Sequence, residues 1–173
     1  DFKFKKGLVS ATKTSGHTLQ IADGLWLDKK FKAAMMKSIA QSELDRKRFV
    51  YSDIGFILLQ QVVEAVTGKI LDAYLVSEFY RPMGLEHTLF QPLNRYKKAD
   101  IMPTAANDYL RRQDLCGYVH DEAAAFMGGV SGNAGLFSTA QELGKIYQMI
   151  LNEGELDGKR YLRPETCRIF TTE

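Results

Sequence analysis

Apolar positions fall at helical spacing in several stretches of the chain, and each is bounded by a recognisable start or stop. The strongest runs from Ile54 to Thr67, "IGFILLQQVVEAVT". It is apolar on most sides, which predicts a buried helix, and Gly68 supplies the left-handed residue that ends it. A helix is expected from Asp28, capped by that carboxylate, with Phe31, Ala34, Met35, Ser38 and Ile39 on one face. Another is expected from Leu71 to Tyr80, with Leu71, Leu75 and Phe79 aligned and Pro82 preventing continuation. In "SGNAGLFSTAQELGKIYQMIL" Thr139 and Glu142 have capping-box spacing, followed by an apolar stripe of Leu143, Ile146, Tyr147, Ile150 and Leu151. "GELDGKRYL" predicts a hairpin turning on Asp157-Gly158, and Pro164 suits the first turn of a last helix. Residues 1–27 read as irregular or β-like with "KTSGHT" as a turn, and residues 82–120 as loop-rich. The expected fold is mainly α, in one unit, with short strands or a hairpin only.

Composition changes this picture little. With 173 residues, 45% hydrophobic and 25% charged, the chain is globular rather than disordered or fibrous. The net charge of +2 is spread over short clusters, Lys3/Lys5/Lys6, Lys29/Lys30 and Arg46/Lys47/Arg48. These are solvated faces rather than a nucleic-acid surface. Cys116 and Cys167 lack metal-ligand spacing and could form one disulfide or none. No stretch approaches the roughly 20 apolar residues of a membrane span. "DFKFKKGLVS" has neither an initiator methionine nor signal-peptide architecture, and "RPETCRIFTTE" stops inside an expected helix. The expectation is a piece of a longer protein.

Candidate chemistry concentrates at Tyr51-Ser52-Asp53, at the mouth of the 54–67 helix. The plain reading makes Asp53 an N-cap and Tyr51 a half-buried aromatic. The alternative turns a phenol of lowered pKa and a small polar side chain into a cleft, where the phenol moves a proton for a serine nucleophile. "GGVSGNAG" (128–135) lacks the lysine end of a phosphate loop and marks a close approach of backbone to core. The adjacent side chains of "HDE" (120–122) diverge, so a hydrogen-bonded loop anchor is expected there rather than a metal site. His17 and His87 are expected to bind nothing.

"YSDIGFILLQQVVEAVTGK", "EFYRPMGLEHTLF" and "GYVHDEAAAFMGGVSGNAGLFSTAQELGKIYQMIL" together resemble the serine β-lactamase and penicillin-binding-protein superfamily. The likeness is to its class C and esterase-like branch, over about residues 48–170. The resemblance implies the helical subdomain of an α/β fold. Its parent would be a serine hydrolase that forms an acyl-enzyme with a β-lactam, a peptidoglycan peptide or a small ester, outside the cytoplasm. It implies no metal and no organic cofactor. An N-acetylhexosaminidase domain is often fused to members of this branch. Tyr51 matches the tyrosine of the Tyr-x-Asn element and Asp53 stands where the asparagine would be. An ionised carboxylate only accepts hydrogen bonds, whereas the amide also donates. Asn133 stands where relatives have histidine.

The superfamily's nucleophile heads a buried helix as Ser-x-x-Lys. "SATK", Ser10 to Lys13, matches as text, but the turn "KTSGHT" follows at once. "SGHT" (15–18) lies on the wrong side of Tyr51 for the Lys/His-Thr-Gly strand. The nucleophile-bearing part and the C-terminal edge strand are therefore expected outside these residues, and the piece alone is expected to be inactive. The rival reading is a non-catalytic binding or scaffold module derived from the fold.

Overall fold

The first strands come from the stretch read as irregular. In the computed structural model, which describes residues 3–43 and 50–172, β1 (Val9–Ser10), β2 (His17–Ala22) and β3 (Leu25–Asp28) form an antiparallel sheet in the order β1-β3-β2. Val9 pairs with Leu27 and Gln20 with Trp26. "HTLQIA" places Ile21 and Ala22 in the core, where Ile21 and Leu27 meet Ala125. Phe31 and Phe126 close this core edge-on, their ring centres 5.0 Å apart.

Helix α1 (Phe31–Gln41) begins three residues after Asp28. Asp28 ends β3 instead of capping the helix, and its Oδ1 accepts from the Lys30 amide at 2.8 Å. Helix α2 (Ile54–Thr67) has the expected bounds, with Gly68 at φ 67°. Helix α3 (Leu71–Leu75) continues into a π-helical turn at Val76–Tyr80, so the expected helix ends where predicted but with a widened last turn. β4 (Leu89–Phe90) and the 3-10 turns Pro92–Asn94 and Lys98–Asp100 follow. A hairpin of β5 (Pro103–Asp108) and β6 (Gln113–Cys116) then leads to α4 (Glu122–Phe126), β7 (Leu136–Phe137) and α5 (Ala140–Leu151). The chain ends with β8 (Glu155–Leu156), β9 (Lys159–Arg160) and α6 (Pro164–Thr171). The hairpin turns on Asp157 at φ 50° and Gly158 at φ 76°, and Pro164 opens α6, both as expected.

The fold class is corrected. Helix accounts for 40% and strand for 18%, in several small sheets, so this is an α/β fold and not a mainly α one with short strands or a hairpin only. Strands of two to six residues leave too little period-two alternation to read, and "PTAAND" and "QDLC" carry few β-branched residues.

The chain forms two compact units. One comprises the residues up to Leu71 with Phe90–Leu136, the other Asp72–Leu89 with those after Leu136. In the second, Met149 of α5 packs with Tyr80, Met83, Leu85 and Leu156, flanked by Phe79, Ile146 and Ile150. In the first, the expected burial of α2 is also corrected. Only Ile57 and Gln60 are buried, while Ile54, Phe56, Leu58, Leu59, Val62 and Val66 are exposed. No single helix among the described residues is long and apolar enough to cross a membrane. Both cysteines are buried free thiols. Of the basic clusters, Arg46/Lys47/Arg48 lies outside the described residues.

Candidate active site

The first turn of α2 brings Tyr51 and Asp53 together. The Tyr51 hydroxyl donates to Asp53 Oδ1 at 3.0 Å. Asp53 occupies the N-cap position, but with helical angles (φ −63°, ψ −23°) that turn its carboxylate away from the helix amides. Its backbone carbonyl accepts from the amides of Phe56 and Ile57, and Ser52 Oγ accepts from that of Ile54 at 3.3 Å. The carboxylate expected to cap the helix is thus engaged by the phenol instead.

Tyr51 is 69% exposed, with its ring 6.3 Å from that of Phe56, so the phenol faces open space rather than apolar packing. Its pKa is raised, chiefly by the hydrogen bond to Asp53 and then by that carboxylate's charge. The lowered pKa expected of a proton acceptor is not what this pair alone produces. A carboxylate that accepts from a phenol favours its neutral form, and a cation is the group that would reverse the shift.

The glycine-rich loop lies against the same helix. A Cβ on Gly132 would overlap the Phe56 carbonyl oxygen, so the predicted close approach is real and only glycine fits it. The Gly132 amide donates to Gln60 Oε1 at 3.1 Å. Gln60 is 2% exposed and donates to Glu64 Oε1 at 3.0 Å. Asn133 Nδ2 donates to Asp121 Oδ1 at 3.0 Å, and Ser131 Oγ donates to Asn133 Oδ1 at 2.7 Å. Asp121 caps α4 by accepting from the Ala124 amide at 2.7 Å. "HDE" is therefore a loop anchor, as read from the sequence. Among the described residues no group of three or more His, Cys, Asp and Glu side chains is placed to hold a metal ion.

The other sequence candidates fall elsewhere. Ser10 lies in β1, its Oγ accepting from the Thr12 amide, while Lys13 sits over the Trp26 ring at 5.5 Å. That is a strand and its following turn, not the head of a helix. His17 closes a turn, with Nδ1 at 3.1 Å from Thr14 Oγ1 and Nε2 at 2.9 Å from the Gly7 carbonyl.

Two polar centres escaped the sequence reading. Arg111 and Asp108, both fully buried, form a two-pronged pair in the β5–β6 turn, with Arg111 Nη1 also donating to the Val119 carbonyl. In the second unit Glu142 accepts from the amides of Glu86 and His87, from His87 Nδ1 and from Thr88 Oγ1 at 2.6–3.0 Å. Its pKa falls to about 2, because those hydrogen bonds outweigh the burial that would raise it. Its place in the capping box was a signal, but for the wrong partner. Thr139 Oγ1 does accept from the Glu142 amide, yet the carboxylate reaches the 86–88 turn. A pocket of about 280 Å³ beside it, lined by Gly84, His87, Thr139, Gln141 and Lys145, includes neither Tyr51 nor Asp53.

Comparison with known proteins adds the family. A protein of Escherichia coli (strain K12), provisionally named a D-alanyl-D-alanine carboxypeptidase, is 40% identical over 137 residues, covering 72% of this chain and 32% of its own. An N-acetylmuramyl-L-alanine amidase of Bacillus subtilis (strain 168) is 39% identical over 136 residues, covering 72% and 31%. The chain thus spans about a third of the length of the curated relatives it matches. Two solved structures share the fold. An octameric penicillin-binding protein homologue from Pyrococcus abyssi has a TM-score of 0.55 at 17% identity, covering 83% of this chain and 30% of that one. The D-amino acid amidase from Ochrobactrum anthropi SV3 has a TM-score of 0.51 at 15% identity, covering 80% and 40%. The beta-lactamase family model matches residues 11–172, which takes in nearly everything described above, and the chain belongs to the beta-lactamase family.

Proposed function

We propose that this chain is part of a serine hydrolase that cleaves an amide or ester through an acyl-enzyme, with Tyr51 as a proton-transfer residue. The observation that carries this is the exposed Tyr51 phenol, held by Asp53 at the head of α2 in a chain of this family. Asp53 acts as an acceptor that orients the phenol and pairs with a cation. The serine nucleophile, its lysine and the edge strand would come from the rest of the whole protein. Substrates would be a peptidoglycan peptide, a β-lactam or a small ester. Relatives named carboxypeptidase and amidase favour an amide. A peptidoglycan substrate would fit action in the periplasm or outside the cell. A covalently linked N-acetylhexosaminidase fits the same setting.

Asp53 in the place of the Tyr-x-Asn asparagine and Asn133 in the place of the histidine favour a second reading, a binding or scaffold module that has lost catalysis. The whole protein decides between them. Incubated with a D-Ala-D-Ala peptide, a chromogenic cephalosporin and an activated ester, it should form an acyl adduct visible by intact mass. Tyr51→Phe should lower kcat/KM by roughly 10²–10⁴. Turnover unchanged in that variant removes Tyr51 from the mechanism, and no adduct with any substrate supports the scaffold. The 173-residue chain alone should turn over none of the three.

A further inference from the structure

Gln60 is a buried amide on a helix that is otherwise mostly apolar, Gln61 and Glu64 apart. Each of its polar atoms is used. Oε1 accepts from Gly132, and Nε2 donates to Glu64 Oε1 and, at 3.5 Å, to the Val130 carbonyl. Glu64 in turn accepts from the Leu71 amide at 3.0 Å. From Gly132 the chain of contacts runs the other way through Ser131 and Asn133 to the α4 cap, Asp121. Gln60 and Ser131 are buried, Gly132 is exposed, and Glu64, Asn133 and Asp121 are half-buried, so a slip of this contact leaves the Gln60 amide unpaired away from water.

Its point of contact with α2 is specific. Gly132 rests on the Phe56 carbonyl, the Phe56 amide donates to the Asp53 carbonyl, and the Phe56 ring neighbours Tyr51. We propose that Gly132 and Gln60 form a latch that positions the Tyr51–Asp53 corner by fixing the first turns of α2. Neither residue touches the phenol, so both act through Phe56. The proposal gains its functional meaning from the reading of Tyr51 as a proton-transfer group, but the latch itself is a matter of geometry.

The test is a pH titration of the 173-residue chain labelled with ζ-¹³C tyrosine, the Tyr51 signal being assigned with Tyr51→Phe. The native Tyr51 should titrate above the free phenol value of about 10. Gly132→Ala forces a methyl against the Phe56 carbonyl and should move the titration down toward that value. Gln60→Leu, which keeps the volume and removes the hydrogen bonds, should do the same. Leu115→Ala, a cavity in the core of the same unit away from the latch, should lower the melting temperature and leave Tyr51 unmoved.

If Gly132→Ala fails to fold by circular dichroism, Gln60→Leu carries the test. A folded Gln60→Leu with an unchanged Tyr51 titration overturns the latch, and so does a native Tyr51 that titrates as a free phenol. Tyr51→Phe without effect on the whole protein's turnover would remove the catalytic reading and leave the latch intact, so the two failures are distinguishable.

Discussion

Helices α2 and α5 start from similar sequence signals, a polar residue before an apolar run, and are held in opposite ways. Thr139 caps α5 with its side chain, whereas Asp53 gives α2 only its backbone carbonyl. Met149 of α5 is 4% exposed in the core of its unit. The outer residues of α2 at i, i+4 spacing, Ile54, Leu58, Val62 and Val66, are 41%, 43%, 55% and 80% exposed. Each helix also carries a carboxylate near its start, and these differ most. That of Glu142 is closed off by four donors, while that of Asp53 meets an exposed phenol. The contrast teaches that an apolar run fixes where a helix forms, while burial depends on what the rest of the chain brings to it. A carboxylate enclosed by amides is structural. One left beside an exposed phenol is, on the proposed function, available for chemistry.

The largest effect expected is at Glu142. Glu142→Gln places an amide N–H₂ against donors that need an acceptor, a loss on the order of 3 kcal/mol. Urea unfolding of the second unit's core should report it. The native group stays ionised down to about pH 2, while the unfolded carboxyl protonates near 4.5. Between those values the unfolded state binds more protons, so stability falls as pH falls through this window. The Glu142→Gln variant should lack that part of the slope. Equal slopes would mean that the carboxylate is not held as described.

A core truncation sharpens the contrast between the two helices. Met149→Ala should cost about 2–4 kcal/mol, because it removes buried atoms and leaves a cavity. Leu58→Ala on α2 removes atoms already in contact with water and should cost under about 1 kcal/mol. Equal losses in melting temperature would show that the α2 face is covered in solution and would break the comparison.

Much of this was legible in the sequence, for local reasons. The bounds of α2 follow from an apolar run and a glycine with left-handed φ, the β8–β9 hairpin from Asp-Gly, and the start of α6 from Pro164. Tyr51 and Asp53 stand two apart at a helix start, and the structure joins them by a hydrogen bond. What stayed hidden depends on residues far apart in the chain. Glu142 is 54–56 positions from the donors it collects, and Gln60 is 72 from Gly132. The β5–β6 pair is invisible to alternation because its strands are short and carry few β-branched residues, and the Arg111–Asp108 pair that holds its turn is a tertiary feature. The exposure of α2 was equally unreadable. Composition marks a helix as apolar without saying whether anything packs on it.

The smallest effect in free energy is the most telling about the site. Asp53→Asn keeps an oxygen that accepts the Tyr51 hydroxyl but removes the charge. Stability should change by less than about 0.5 kcal/mol, since the side chain is only partly buried and caps nothing. The phenol, relieved of the carboxylate's field, should titrate lower, as measured by phenolate absorbance against Tyr51→Phe. The amide also supplies a donor that the carboxylate lacks. If Tyr51 moves protons in the whole protein, the Asp53→Asn variant should reach half-maximal kcat/KM at a lower pH than the native one. A phenol that titrates unchanged would show that Asp53 does not control it, and the opposition between an enclosed and an available carboxylate would lose its second member.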